Sequence, residues 1–148
     1  MNTRRLTHSI LTLTFAGLAA VCATAAPAAA QTAQTLYDRA MARERTIRED
    51  STPALTTLRS IATAFEGVVR RYPRSGYADN ALWQGAGVLQ LAWETGGVAR
   101  DRESALRLLT WLRREYPSST LVRQIGARTT ALNRPRPRRP HPPPQPAR

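Results

Sequence analysis

The residues able to do chemistry in this chain of 148 are few and badly placed for it. The two histidines are His8 and His141 and the one cysteine is Cys22. His8 and Cys22 fall in an N-terminal leader and His141 in a Pro/Arg-rich end. A zinc site of His and carboxylates therefore has no ligand set, and a Ser, Thr or Cys nucleophile has no ordered histidine as its base. The 10 acidic residues stand singly among arginines at helical spacing, the pattern of a solvated face and not of a paired acid and base. Gly85-Ala86-Gly87 lies inside a helical pattern and lacks the setting of a phosphate-cradling loop. We expect no catalytic residue, no metal and no cofactor. Trp83, Trp93 and Trp111 are candidate ligand platforms, but aromatics supply the largest areas in small cores, which favours packing at core or rim.

Charge offers the other route to function. All 22 basic residues are arginine, giving a net charge of +12. The leader takes Arg4 and Arg5 with it, and Arg134, Arg136, Arg138, Arg139 and Arg148 crowd the last residues without an acid. The part between is only moderately basic. Within it, Arg70, Arg71 and Arg74 and then Arg113 and Arg114 take equivalent places beside two proline turns, and stacked they would form a positive ridge. Solvated charge that suits the helix dipole is the competing account. A ridge and tail of this sign suit an acidic protein or acidic envelope polymer; nucleic acid fits the charge but conflicts with export.

Export is read from residues 1–30. Arg4 and Arg5 form a positive start, residues 10–20 an apolar run, and Ala28-Ala29-Ala30 an A-x-A cleavage site. The run is too short and too interrupted by Thr for a permanent span, so no membrane span follows cleavage. Cys22 has two readings, a lipid acceptor or a residue lost with the leader. Val21 is bulky where a lipid signal wants a small residue, which favours the second.

The elements that must position these residues are helices. Residues 34–49 put Leu36, Tyr37, Ala40, Met41, Glu44 and Ile47 or Arg48 on one narrow face, with Arg39, Arg43 and Arg45 in water. Thr52 or Ser51 then caps a second helix with Pro53 at its first position. Leu55, Leu58, Ile61, Phe65, Val68 and Tyr72 recur at three or four, and Gly67 among them implies a closely packed neighbour. Pro73 stops this helix and Ser75 offers a cap to the next. The third helix presents Ala78, Ala81, Gly85 and Ala86 for close approach and ends at Gly96-Gly97. Residues 98–102 form a polar connection, with Asp101 capping a fourth helix that carries Ala105, Leu108, Leu109, Leu112 and Tyr116. Pro117 stops it, Ser118 or Ser119 caps, and a polar fifth helix spans residues 118–132. From residue 134 the tail is too rich in Pro to fold.

Two of these turns are copies. Phe65 aligns with Leu109, Val68 with Leu112, Tyr72-Pro73 with Tyr116-Pro117, Ser75 with Ser119, Ala78 with Val122 and Ala81 with Ile125, always about 44 positions apart, within the range of periods typical of helical solenoids. Ile61 and Ala105, each twelve places before a helix-ending proline, complete a small-large-small-Pro pattern that resembles the second helix of tetratricopeptide repeats. The Y-P-x-S turn followed by Ala is similar to the subgroup found in bacterial envelope proteins. The longer period fits an extended first helix plus the connection from Gly96-Gly97 to Arg102. Residues 34–132 further resemble the repeat segment that precedes the catalytic domain of secreted N-acetylmuramoyl-L-alanine amidases, through LYDRAMARERTIR, VVRRYPRSGYADNALWQ and LLTWLRREYPSSTLV.

The expectation is an all-α chain with a signal peptide at 1–30, a tetratricopeptide-like domain at 31–133 and a disordered tail at 134–148. About five antiparallel helices form a short right-handed solenoid. The resemblance implies a non-catalytic periplasmic or envelope scaffold that contacts another protein and is linked to peptidoglycan metabolism. The alternative it implies is an accessory fragment of a zinc amidase whose catalytic domain lies elsewhere.

Overall fold

The computed structural model describes residues 25–134, with side chains from residue 32. The expected leader core, Cys22, both histidines and the tail beyond residue 134 lie outside the described residues. What is described is all-α: α1 Ala25–Glu49, α2 Leu55–Arg71, α3 Ala78–Gly96, α4 Ala99–Glu115, a 3-10 turn Thr120–Gln124, and α5 Ile125–Asn133. Connections this short make successive helices antiparallel. Packing follows chain order: α2 lies against α1 and α3, and α3 against α2 and α4, while α5 leans more lightly on α4.

The centre is α3, and its small residues explain why. Ala78, Ala81, Gly85, Ala86 and Ala92 are all buried. A Cβ placed on Gly85 would lie 3.0 Å from Leu108 of α4 and 3.3 Å from the Cβ of Phe65 on α2. Two helices thus close on α3 at one point, and only a missing side chain leaves room. Phe65, Leu58, Ile61 and Val68 of α2 and Leu108, Leu109 and Leu112 of α4 fill the space on either side. Tyr37 joins α1 to this core, its ring 5.8 Å edge-on from Phe65 and 5.3 Å from Tyr77. Desolvation raises the pKa of Tyr37 above its ordinary value, the Gln84 side chain opposing the shift through a hydrogen bond.

Helix ends set by proline and glycine fall where expected. α2 ends at Arg71 and α4 at Glu115, one residue before Tyr72-Pro73 and Tyr116-Pro117. Gly97 closes α3 in the left-handed conformation, φ 71°, its N–H donating to the Trp93 carbonyl.

Helix starts differ. α2 begins at Leu55 behind Ala54, without a side-chain cap. Asp50 instead accepts from the Thr52 N–H at 2.9 Å, so these residues build an Asx turn and Pro53 precedes the helix. α3 begins at Ala78 behind Tyr77; Ser75 does not cap it, and its hydroxyl is buried with no partner among the described residues. α4 starts at Ala99, so the expected polar connection shrinks to Gly97 and Val98, and the long period is carried by the helices. Asp101 sits inside the first turn of α4, where Arg59 claims its carboxylate, and Val98 is the cap position. The expected fifth helix is split: Ser119 caps the 3-10 turn and α5 follows only from Ile125. α1 begins at Ala25, earlier than the pattern from residue 34 suggests. Finally, a Cβ on Gly67 would meet nothing within 4 Å, so no neighbour among the described residues explains that glycine.

Candidate functional site: paired turns, arginine-covered tryptophans and an arginine-lined groove

The two proline turns share one backbone. Tyr72 has φ −135° and ψ 60°, and Tyr116 φ −129° and ψ 55°. In the first, the N–H groups of Tyr72, Ser75 and Ala78 donate to Val68, Tyr72 and Ser75 at 2.8, 3.0 and 3.2 Å. In the second, Tyr116, Ser119 and Val122 donate to Leu112, Tyr116 and Ser119 at 3.0, 3.0 and 3.2 Å. Each residue of one ladder has its aligned counterpart in the other. The repeat positions Ile61, Phe65, Val68, Ala78 and Ala81, with Ala105, Leu109, Leu112 and Ile125, are buried; Val122 is half-buried.

The turns also touch. The Tyr116 hydroxyl donates to the Pro73 carbonyl at 2.7 Å, and the Ser119 hydroxyl donates to Asp79 at 2.7 Å while accepting from the Leu121 N–H. Burial, with the charges of Glu115 and Asp79, raises the pKa of Tyr116. Further bridges join equivalent levels of the two copies. Arg59 grips Asp101 bidentately at 2.8 and 2.9 Å, and this hydrogen bonding raises the guanidinium's pKa. Arg107 donates to Glu66 and Arg128 to the Trp83 carbonyl. The sequence separations are 42, 41 and 45, and 43 and 40 for the bonds of Tyr116 and Ser119, all near one period.

Each tryptophan is half-buried against the core with an arginine over its ring. The distances from guanidinium carbon to ring centre are 3.4 Å for Arg128 on Trp83, 5.8 Å for Arg102 on Trp93 and 5.5 Å for Arg70 on Trp111. Such contacts are worth about 0.5–1 kcal/mol when exposed, more when desolvated. Arg128 is the desolvated one: burial first, and Arg48 second, lower its pKa, while Glu44 opposes them. Glu44 is itself 3% exposed, with one oxygen held by Arg48 and the other unpartnered. The packing role expected for the tryptophans agrees with this placement. Their arginine covers were not read from the sequence, although Trp83 to Arg128 and Arg70 to Trp111 both span close to one period.

The expected positive ridge is partly spent on neighbours. Arg70 pairs with Glu66 at 3.1 Å and Arg114 with Glu115 at 2.7 Å. Arg71, Arg74 and Arg113 are exposed and have no ion pair among the described residues. Arg71 lines a groove of about 340 Å³ between α1 and α2, with Leu36, Arg39, Ala40, Arg43, Ala64 and Gly67. Among the described residues, no group of three or more His, Cys, Asp or Glu is placed to hold a metal, and no helix is long and apolar enough to cross a membrane. Comparisons with protein-family models, curated proteins and solved structures found no match.

Proposed function

We propose that the protein is a non-catalytic interaction module of the cell envelope, built as a short tetratricopeptide-like helical repeat. The observation that carries this reading is the set of bridges one period apart: residues near i and i+44 lie beside each other, as stacking of two like hairpins requires. A stack of this kind uses its inner faces for cohesion and leaves its outer helix faces for another molecule. Export rests on the leader at residues 1–30, and the wall context on the likeness of residues 34–132 to the amidase segment. The partner is a protein, with an acidic envelope polymer as the charge-driven variant. The test is covalent capture from envelope extracts by the full chain, alongside incubation of the purified protein with wall muropeptides. The reading expects reproducible partners and no turnover; muropeptide cleavage by the protein alone would overturn it.

A further inference from the structure

The groove between α1 and α2 is lined by three arginines and no acid. Leu36, Ala40, Ala64 and Gly67 form its floor, and Arg39, Arg43 and Arg71 its rim. Arg43 donates to Ser60 at 3.0 Å, and Arg39 and Arg71 have no hydrogen-bond or ionic partner among the described residues. Elsewhere on α2 and α4, Arg59, Arg70, Arg107 and Arg114 pair with carboxylates, whereas Arg113 has no ion pair among the described residues. Arg39 and Arg43 are like charges one helical turn apart, an arrangement that costs an isolated helix stability. Gly67 adds a second cost, since Gly is a poorer helix former than Ala, and no described residue comes within 4 Å of a Cβ placed there. Gly85 sets the contrast, since Phe65 and Leu108 press on it. Both costs are offset if a body from outside approaches Gly67 closely and brings negative charge.

We propose that this groove docks an acidic amphipathic helix of a partner protein, its apolar face on Ala40, Ala64 and Gly67 and its carboxylates on Arg39, Arg43 and Arg71. The lining spans about two turns, roughly 10 Å, along each helix. That matches one short apolar face with acids beside it, and the small floor residues let a helix axis come near. The proposal rests on the interaction-module reading and specifies the partner's chemistry.

The probe is a labelled synthetic helix with Leu at i, i+3, i+4 and i+7 and Glu between, against a Gln counterpart and phosphatidylglycerol vesicles, by fluorescence anisotropy on the full chain. The Glu helix binds, raised salt weakens it, and the Gln helix binds at least about tenfold more weakly. Gly67→Leu fills the groove and weakens binding by a similar factor while its melting temperature stays level or rises, because Leu is the better helix former. The double variant Arg39→Glu with Arg71→Glu loses binding, and Arg113→Glu, outside the groove, does not. Equal binding of the Gln helix, indifference to Gly67→Leu, or vesicle binding that Gly67→Leu leaves intact would overturn the groove. Envelope partners captured equally by Gly67→Leu would also overturn it and leave the module reading standing. Capture of nothing by either form counts against the module reading, and binding of the synthetic helix still decides the groove.

Discussion

The first and second proline turns are the same in backbone and unlike in side-chain wiring. Tyr72 and Tyr116 end their helices with dihedrals within a few degrees, and the N–H ladders coincide. Yet Ser119 donates to Asp79 and accepts from Leu121, whereas the Ser75 hydroxyl is buried and unpartnered among the described residues. Tyr116 reaches back to Pro73, and Tyr72 has no such bond among the described residues. Proline dictates the path, because a residue without an N–H cannot extend a helix wherever it stands. The hydroxyl bonds depend on a preceding copy to receive them. Among the described residues the second turn has one and the first does not, so the asymmetry belongs to position in the helix order and not to the motif.

The largest way to break the comparison is through the aligned core residues, where the copies should behave alike. Phe65→Ala is expected to cost about 3–5 kcal/mol and Leu109→Ala about 2–5 kcal/mol, since both side chains are fully buried in the core. Denaturant unfolding measures both, and a mild effect at either would place that residue outside the shared core. A smaller effect sharpens the difference between the turns. Ser119→Ala removes a cap and the bond to Asp79, costing about 1–2 kcal/mol, while Ser75→Ala leaves stability level or raised because no bond is lost. Equal losses would mean that Ser75 has a partner after all. Smaller again, Tyr116→Phe should cost about 1 kcal/mol through the bond to Pro73, and Tyr72→Phe close to nothing.

Alkali gives the smallest and most selective test. Tyr37 and Tyr116 have folded pKa values raised above 10.0, chiefly by burial. The unfolded chain therefore loses these protons first, and stability that is whole below pH 10 falls as pH rises through the folded values. Unfolding midpoints followed from pH 9 upward should decline, less steeply in Tyr37→Phe. An unchanged slope would show that Tyr37 is not held protonated by the fold.

What was legible in the sequence divides along the same line as the turns. Helix stops at Tyr72, Tyr116 and Gly97 were readable because Pro and Gly act through their own covalent geometry. The pairing of Phe65 with Leu109 and the close-packed Gly85 were readable because burial repeats with the helix. Helix starts were readable only at Ser119, which caps the 3-10 turn; elsewhere Ser, Thr and Asp side chains choose among competing donors, and tertiary neighbours decide. Asp101 went to Arg59 rather than to its own helix end, and Asp50 to a turn ahead of α2. In the candidate site, Arg71 could be named but not its company. That Arg39 and Arg43 line the same groove as Arg71 follows from how α1 lies on α2, which a single face pattern does not encode.

The claim beneath these comparisons is that two like turns are docked into one cooperative body, and native-state hydrogen exchange tests it most directly. The amides of Tyr72, Ser75 and Ala78 and those of Tyr116, Ser119 and Val122 should open with matched free energies. In Tyr116→Phe both sets should lose protection together, because the bond to Pro73 joins them. Protection lost from the second turn alone, with the first unmoved, would contradict the account.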